Sequence, residues 1–282
     1  MSTLSLPDGT VHYETRGSGP PLVCVHGGWQ NSRSWRPQIE GLRDEYTVVT
    51  LDLRGHGRTG ATEPHRYSVA LLTDDLEQLL ARLGIEHPLL CGISLGGMVV
   101  QSYLDRHPSA ARGAVIGGPV RSMPPVDVPT AAKPFLSPAP ALSGMLSAVG
   151  PTGTFRALCR SVRATTGGPW LAVDPAVRSR AMDAAGEVPR GEWLKIFRAI
   201  YGFEPPDLSH VETPTLVLYG ADEAPQVKRQ GDRLARTVRS GRSREIAAAG
   251  HLLNQDNPDA FDVACTEFFA EIGAEGAAST VS

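Results

Sequence analysis

Apolar and polar positions change rhythm twice along the chain. In the first 118 residues, short apolar runs alternate with segments whose apolar residues recur every three or four positions. Thr10–Thr15 alternates residue by residue, which predicts a strand. Pro21–Val25, Tyr46–Leu51, Pro88–Cys91 and Ala111–Ile116 are four further strand-length runs. Val69, Leu72, Leu76, Leu79, Leu80 and Leu83 fall on one helical face, and Gly84 stops the pattern. Leu95–His107 reads as another helix, ended by His107-Pro108. Strands this short and apolar, separated by helices, predict a parallel sheet covered on both faces.

The rhythm breaks at Pro119, where seven prolines fall within 22 residues. Proline lacks a ladder donor and disfavours helix interiors, so irregular backbone is expected. Weaker helical patterns follow at Thr154–Thr165, Pro175–Ala185 and Glu192–Tyr201. Strand runs return at Thr215–Tyr219 and near Arg244–Ala247, and a closing helix spans about Pro258–Ile272. This organisation predicts a core of residues 1–118 and 211–275, an inserted helical lid at 119–210, and a flexible tail at 276–282.

Composition narrows the class. Apolar residues make up 41% and charged residues 20% of 282, as in a globular protein with a sizeable core. A net charge of −3 gives no general attraction to nucleic acid or anionic lipid. No apolar run reaches membrane-spanning length, and the start lacks a signal peptide, so the sequence reads as cytoplasmic. Cys24, Cys91, Cys159 and Cys265 are scattered without a C-x-x-C pair or zinc spacing, and read as reduced core thiols.

Candidate chemistry lies at the ends of the strand runs. Gly92-Ile93-Ser94-Leu95-Gly96 matches G-x-S-x-G directly between a strand and a helix. The glycines leave room for a tight turn that exposes the Ser94 hydroxyl and puts the Leu95 N–H at a helix N-terminus. A serine hydroxyl needs a base, normally a histidine oriented by a carboxylate. Asp222 follows a strand, and His251 is the only histidine after it, giving the order Ser94, Asp222, His251. Glu223 is the adjacent alternative acid. His26-Gly27-Gly28-Trp29 ends another strand, where Gly28 is the expected second oxyanion donor, Trp29 the alternative donor, and His26 a prop for the loop.

With these stretches in order, together with Asp52-Leu53-Arg54-Gly55-His56-Gly57 and Gly250-His251 followed by Asp256 and Pro258, the chain resembles the α/β-hydrolase superfamily. The similarity is to its lid-bearing branch of serine esterases, C–C hydrolases and perhydrolases. The resemblance implies a mostly parallel eight-stranded sheet and a catalytic triad of Ser94, Asp222 and His251. It also implies an oxyanion hole from Gly28 and Leu95, a structural role for Asp52–Gly57, and neighbouring strands for Cys24 and Cys91. A serine nucleophile counts against the epoxide hydrolase and haloalkane dehalogenase branches, which use a carboxylate.

The expected activity is hydrolysis of a small carboxylic ester or lactone through an acyl-enzyme on Ser94, with no metal or organic cofactor. The alternatives are C–C bond cleavage or cofactor-free perhydrolysis on the same triad, and a ligand receptor without catalysis. The expected partner is a small, apolar or aromatic substrate, bound in part by Trp29; whether copies of the chain associate is left open. Residues 120–170 carry five basic groups, Arg121, Lys133, Arg156, Arg160 and Arg163, against the single acid Asp127. Either these face solvent, or one meets a substrate carboxylate. Phe135, Leu136, Met145, Leu146, Trp170, Trp193 and Phe197 are candidates for the pocket wall or the lid core.

Overall fold

Eight strands in a single sheet, in the order β1-β2-β4-β3-β5-β6-β7-β8, form the centre of the molecule. The computed structural model describes residues 2–122, 136–166, 168 and 170–279. Its strands are β1 (Ser2–Leu6), β2 (Gly9–Arg16), β3 (Pro21–Val25), β4 (Thr47–Leu51), β5 (Leu89–Ile93), β6 (Gly113–Gly117), β7 (Thr215–Gly220) and β8 (Gly241–Ile246). The β1–β2 and β2–β4 pairs are antiparallel, and all other pairs are parallel.

Side-chain alternation divides each central strand between two cores. Val23 and Val25 of β3 pack on one face, with α2 (Val69–Leu83), α3 (Leu95–Arg106) and α7 (Pro225–Thr237). Leu22 and Cys24 pack on the other, against α1 (Arg36–Leu42) and the last helix (Pro258–Ser279). Cys24 and Cys91 are register partners on β3 and β5, and both are buried free thiols.

Between β6 and β7 lie α4 (Ala139–Thr166), α5 (Pro175–Glu187) and α6 (Arg190–Tyr201). The α4 helix is broken at Gly150, whose φ of 70° and ψ of −178° leave helical space ahead of Pro151. Trp193, Ile196, Phe197 and Ile200 of α6 join the first core, so the insertion packs on the sheet domain.

Among the elements that go beyond the sequence pattern are β1, α1 and α7. The β1 strand carries a Leu4/Leu6 alternation in only five residues, α1 is short, and α7 buries only a sparse stripe of Val227, Gly231, Leu234 and Ala235. The sequence places a flexible tail at 276–282. The last helix runs through Ser279. Asp127, Lys133 and Phe135 lie outside the described residues.

Candidate active site

The strand order reverses at β3, which has β4 on one side and β5 on the other, although it precedes both in sequence. In open α/β sheets, ligands bind outside the carboxyl ends of the strands at such a point. Here the loop after β3 carries Gly27–Trp29, and the turn after β5 carries Ser94.

Ser94 sits between β5 and α3 with φ 54° and ψ −113°, a sparsely populated conformation for a residue with a side chain. Its N–H donates to the Gly117 carbonyl at 2.9 Å, and its carbonyl accepts from Met98 N–H at 3.0 Å. Close backbone contact explains the flanking glycines. A Cβ on Gly92 would lie 2.4 Å from the Gly96 carbonyl oxygen, and one on Gly96 would lie 2.0 Å from that of Val25. Leu95 is the first residue of α3, so its N–H belongs to the first turn, which has no intrahelical acceptor.

Two buried histidines support the loop after β3. His26 Nε2 accepts from Leu53 N–H at 3.0 Å, and Nδ1 lies 2.8 Å from the Gly27 carbonyl. His56 Nε2 accepts from Trp29 N–H at 3.0 Å, and Nδ1 lies 2.8 Å from the Arg54 carbonyl. In each ring the backbone donor requires an unprotonated Nε2, so the hydrogen resides on Nδ1. Burial pushes His26 below its ordinary pKa, and burial together with the neighbouring His26 pushes His56 down to about 3. His26 therefore props the loop, as expected, and His56 is a second prop. The N–H of Trp29, the alternative oxyanion donor expected from the sequence, is thereby taken by His56.

His251 follows β8 and meets a carboxylate other than Asp222. Its Nδ1 lies 2.5 Å from Glu223 Oε2, whose side chain is fully buried. The other oxygen, Oε1, accepts from Ala224 N–H at 2.7 Å. Asp222 is exposed. The Glu223 N–H donates to the Gly220 carbonyl at 3.2 Å, which closes a turn with Ala221 and Asp222 at its tip. Asp222 at the tip faces outward, and Glu223 after it points back inside. The pairing with Asp222 is thus replaced by one with Glu223, the adjacent acid in the sequence.

Ser94, His251, Gly28 and Trp29 line one cavity of about 210 Å³. Its walls are mainly apolar, with Phe155, Leu158, Cys159 and Val162 forming one face of α4. That spacing, i, i+3, i+4 and i+7, was the available sequence signal for a pocket-facing stripe. Burial pushes the Cys159 thiol up to about 12, which keeps it protonated. Among the expected wall residues, Trp170 lines the cavity, and its ring centre lies 5.3 Å from that of His251. Trp193, Phe197 and Leu146 are buried in the core, and Leu136 is exposed. Trp29 stacks on Trp193 with ring centres 4.5 Å apart. Arg156, Arg160 and Arg163 are exposed, and Arg121 donates to the Pro206 carbonyl at 2.6 Å. These four arginines are not among the cavity-lining residues.

Among the described residues, no cluster of three or more His, Cys, Asp or Glu is placed to hold a metal ion. None of the described helices is long and apolar enough to cross a membrane.

This geometry agrees with what the chain is similar to. Residues 20–258 match the alpha/beta hydrolase fold family, and the chain belongs to it. A putative non-heme chloroperoxidase of Synechocystis sp. is 27% identical over 266 residues, covering 88% of this chain and 91% of that protein. An uncharacterized hydrolase of Bacillus subtilis, YraK, is 36% identical over 107 residues, and the match spans 38% of this chain and 40% of that one. The fold superposes on a thermophilic esterase from Thermogutta terrifontis with a TM-score of 0.78 at 23% identity, covering 96% and 97% of the two chains.

Proposed function

We propose that the protein is a serine hydrolase that cleaves small, neutral carboxylic esters or lactones through an acyl-enzyme on Ser94. One observation carries this reading. A strained serine and a histidine paired with a buried carboxylate open into the same apolar cavity. His251 takes the Ser94 proton as the hydroxyl oxygen attacks the carbonyl carbon. Glu223 holds the Nδ1–H tautomer and stabilises the imidazolium. The N–H groups of Gly28 and Leu95 meet the oxyanion, and the proton returned by His251 leaves with the alcohol. Water activated by His251 then releases the acid. The helices of residues 139–201 act as a lid whose apolar face receives the acyl group, so the substrate is neutral on that side.

The test is turnover of p-nitrophenyl butyrate. Ser94→Ala is expected to lower kcat/KM by about 10³-fold or more, with the far-UV CD spectrum unchanged. Glu223→Gln should cost about 10³- to 10⁴-fold by disturbing the tautomer, and Asp222→Asn less than about twofold. Wild-type turnover in Ser94→Ala would refute the mechanism, and a large loss in Asp222→Asn alone would refute the choice of acid.

The chloroperoxidase relative supports a second reading, in which hydrogen peroxide replaces water in the last step and a peracid leaves. Halide oxidation in acetate and peroxide that disappears in Ser94→Ala would establish it.

A further inference from the structure

The loop that carries His251 is joined through one carboxylate to the stretch that follows the pocket residues Trp170 and Leu171. Asp256 Oδ2 accepts from Gly250 N–H and from Val173 N–H, both at 2.8 Å, and Oδ1 accepts from Asp174 N–H at 3.0 Å. Gly250 immediately precedes His251, while Val173 and Asp174 belong to the segment between α4 and α5. The same two stretches also meet by main chain. His251 N–H donates to the Trp170 carbonyl at 2.6 Å, and Leu252 N–H to the Leu171 carbonyl at 2.9 Å. The approach is close enough that a Cβ on Gly250 would lie 2.5 Å from the Trp170 carbonyl oxygen. From the far side, Arg178 Nη1 donates to the Ala172 and Val173 carbonyls, each at 2.6 Å.

We propose that Asp256 is a positioning residue that holds His251 and the segment Trp170–Asp174, which carries the pocket residues Trp170 and Leu171, as one unit. The inference rests on the serine hydrolase reading above. A single anion satisfying three N–H groups on two segments fixes their relative placement, because moving either segment would leave a donor unpaired beside a charge. Base position and pocket shape are thereby coupled. Releasing the tie moves the imidazole relative to Ser94 and withdraws the Trp170 ring from it.

The experiment uses the full-length chain and its Asp256→Asn and Arg178→Met variants. An asparagine in place of Asp256 presents an NH₂ to at least one of the three donors, and Arg178→Met loosens the same segment from the opposite side. The readouts are kcat and KM for p-nitrophenyl butyrate, the rate of fluorophosphonate labelling of Ser94, and thermal unfolding. For Asp256→Asn, kcat should fall 10- to 100-fold and KM rise a few-fold. Labelling should slow by a factor similar to that in kcat, because phosphonylation also needs His251. Arg178→Met should lower kcat several-fold. A variant that merely loses stability would show a lower Tm with wild-type kcat and labelling rate. That result in Asp256→Asn, or wild-type kcat in a folded Arg178→Met, overturns the proposal while leaving the serine mechanism intact. A wild-type chain that is active yet unlabelled at Ser94 overturns both.

Discussion

The buried pair His26 and His56 makes the fold sensitive to acid in a measurable way. His56 is pushed from an ordinary value of 6.5 to about 3, first by burial and then by His26. Between those values the unfolded chain binds a proton that the folded chain refuses. Stability is therefore fully present above pH 6.5 and is lost as pH falls toward 3. At pH 5 this single group lowers the unfolding free energy by about 2 kcal/mol relative to neutral pH. His26, also lowered, acts in the same direction. Asp262, whose carboxyl burial pushes up to about 6, acts in the opposite direction. A mutant comparison separates them. His56→Gln retains a side chain able to accept the Trp29 N–H but removes the titration. Urea unfolding of both proteins at pH 7.5 and pH 5.0 gives the difference. The wild type should lose about 2 kcal/mol more than the variant over that interval, and the Asp262 contribution cancels. Equal losses in the two proteins would refute the assignment of a neutral, backbone-bonded His56. The consequence reaches the site, since a protonated His56 confronts the Trp29 N–H with a second donor one residue from Gly28.

Other perturbations test packing at the same centre. Gly96→Ala places a Cβ 2.0 Å from a backbone oxygen that cannot retreat, so it should yield insoluble protein or lose more than about 4 kcal/mol in urea unfolding. Gly144→Ala, in an exposed turn of α4 with open space around it, should gain up to about 1 kcal/mol in the same assay. Leu158→Trp narrows the apolar face of α4 that lines the cavity; it should raise KM for p-nitrophenyl octanoate far more than for the acetate. An equal change for both esters would show that this face does not receive the acyl chain.

The core of the fold was legible because its strands are short and apolar between glycine turns. The run Pro21–Val25 coincides with β3, and Val69–Leu83, bounded by Ser68 and Gly84, coincides with α2. Ser68 accepts from Leu71 N–H, and Gly84 adopts φ 65°, so local chemistry marks both ends of that helix. The β8 strand was only approximately placed, because Gly-Arg-Ser-Arg-Glu-Ile is an edge segment with four exposed residues and no apolar run. The pocket wall was harder to read for a different reason. Bulky residues of the insertion such as Trp193 and Phe197 serve the core between α6 and the sheet. The smaller stripe from Phe155 to Val162 serves the cavity. Hydrophobicity marks both alike, and only the packing direction separates them.

The acid shows how a one-residue ambiguity in sequence becomes a large difference in space. Gly220-Ala221-Asp222-Glu223 offers two neighbouring carboxylates, and chain order suits either. What decides is the Glu223 N–H to Gly220 carbonyl bond, which makes 220–223 a four-residue turn. Asp222 N–H donates to the Ala249 carbonyl at 2.9 Å, pinning the turn to the loop that leads into His251. With its backbone held on that loop, the Asp222 side chain can only leave toward solvent. The Glu223 side chain returns inward and, with one methylene more, reaches Nδ1. A carboxylate at the outer position would orient no imidazole and would be screened by water, whereas the inner one is fully buried against the imidazole. The turn bond, more than the identity of either acid, therefore places the negative charge behind His251.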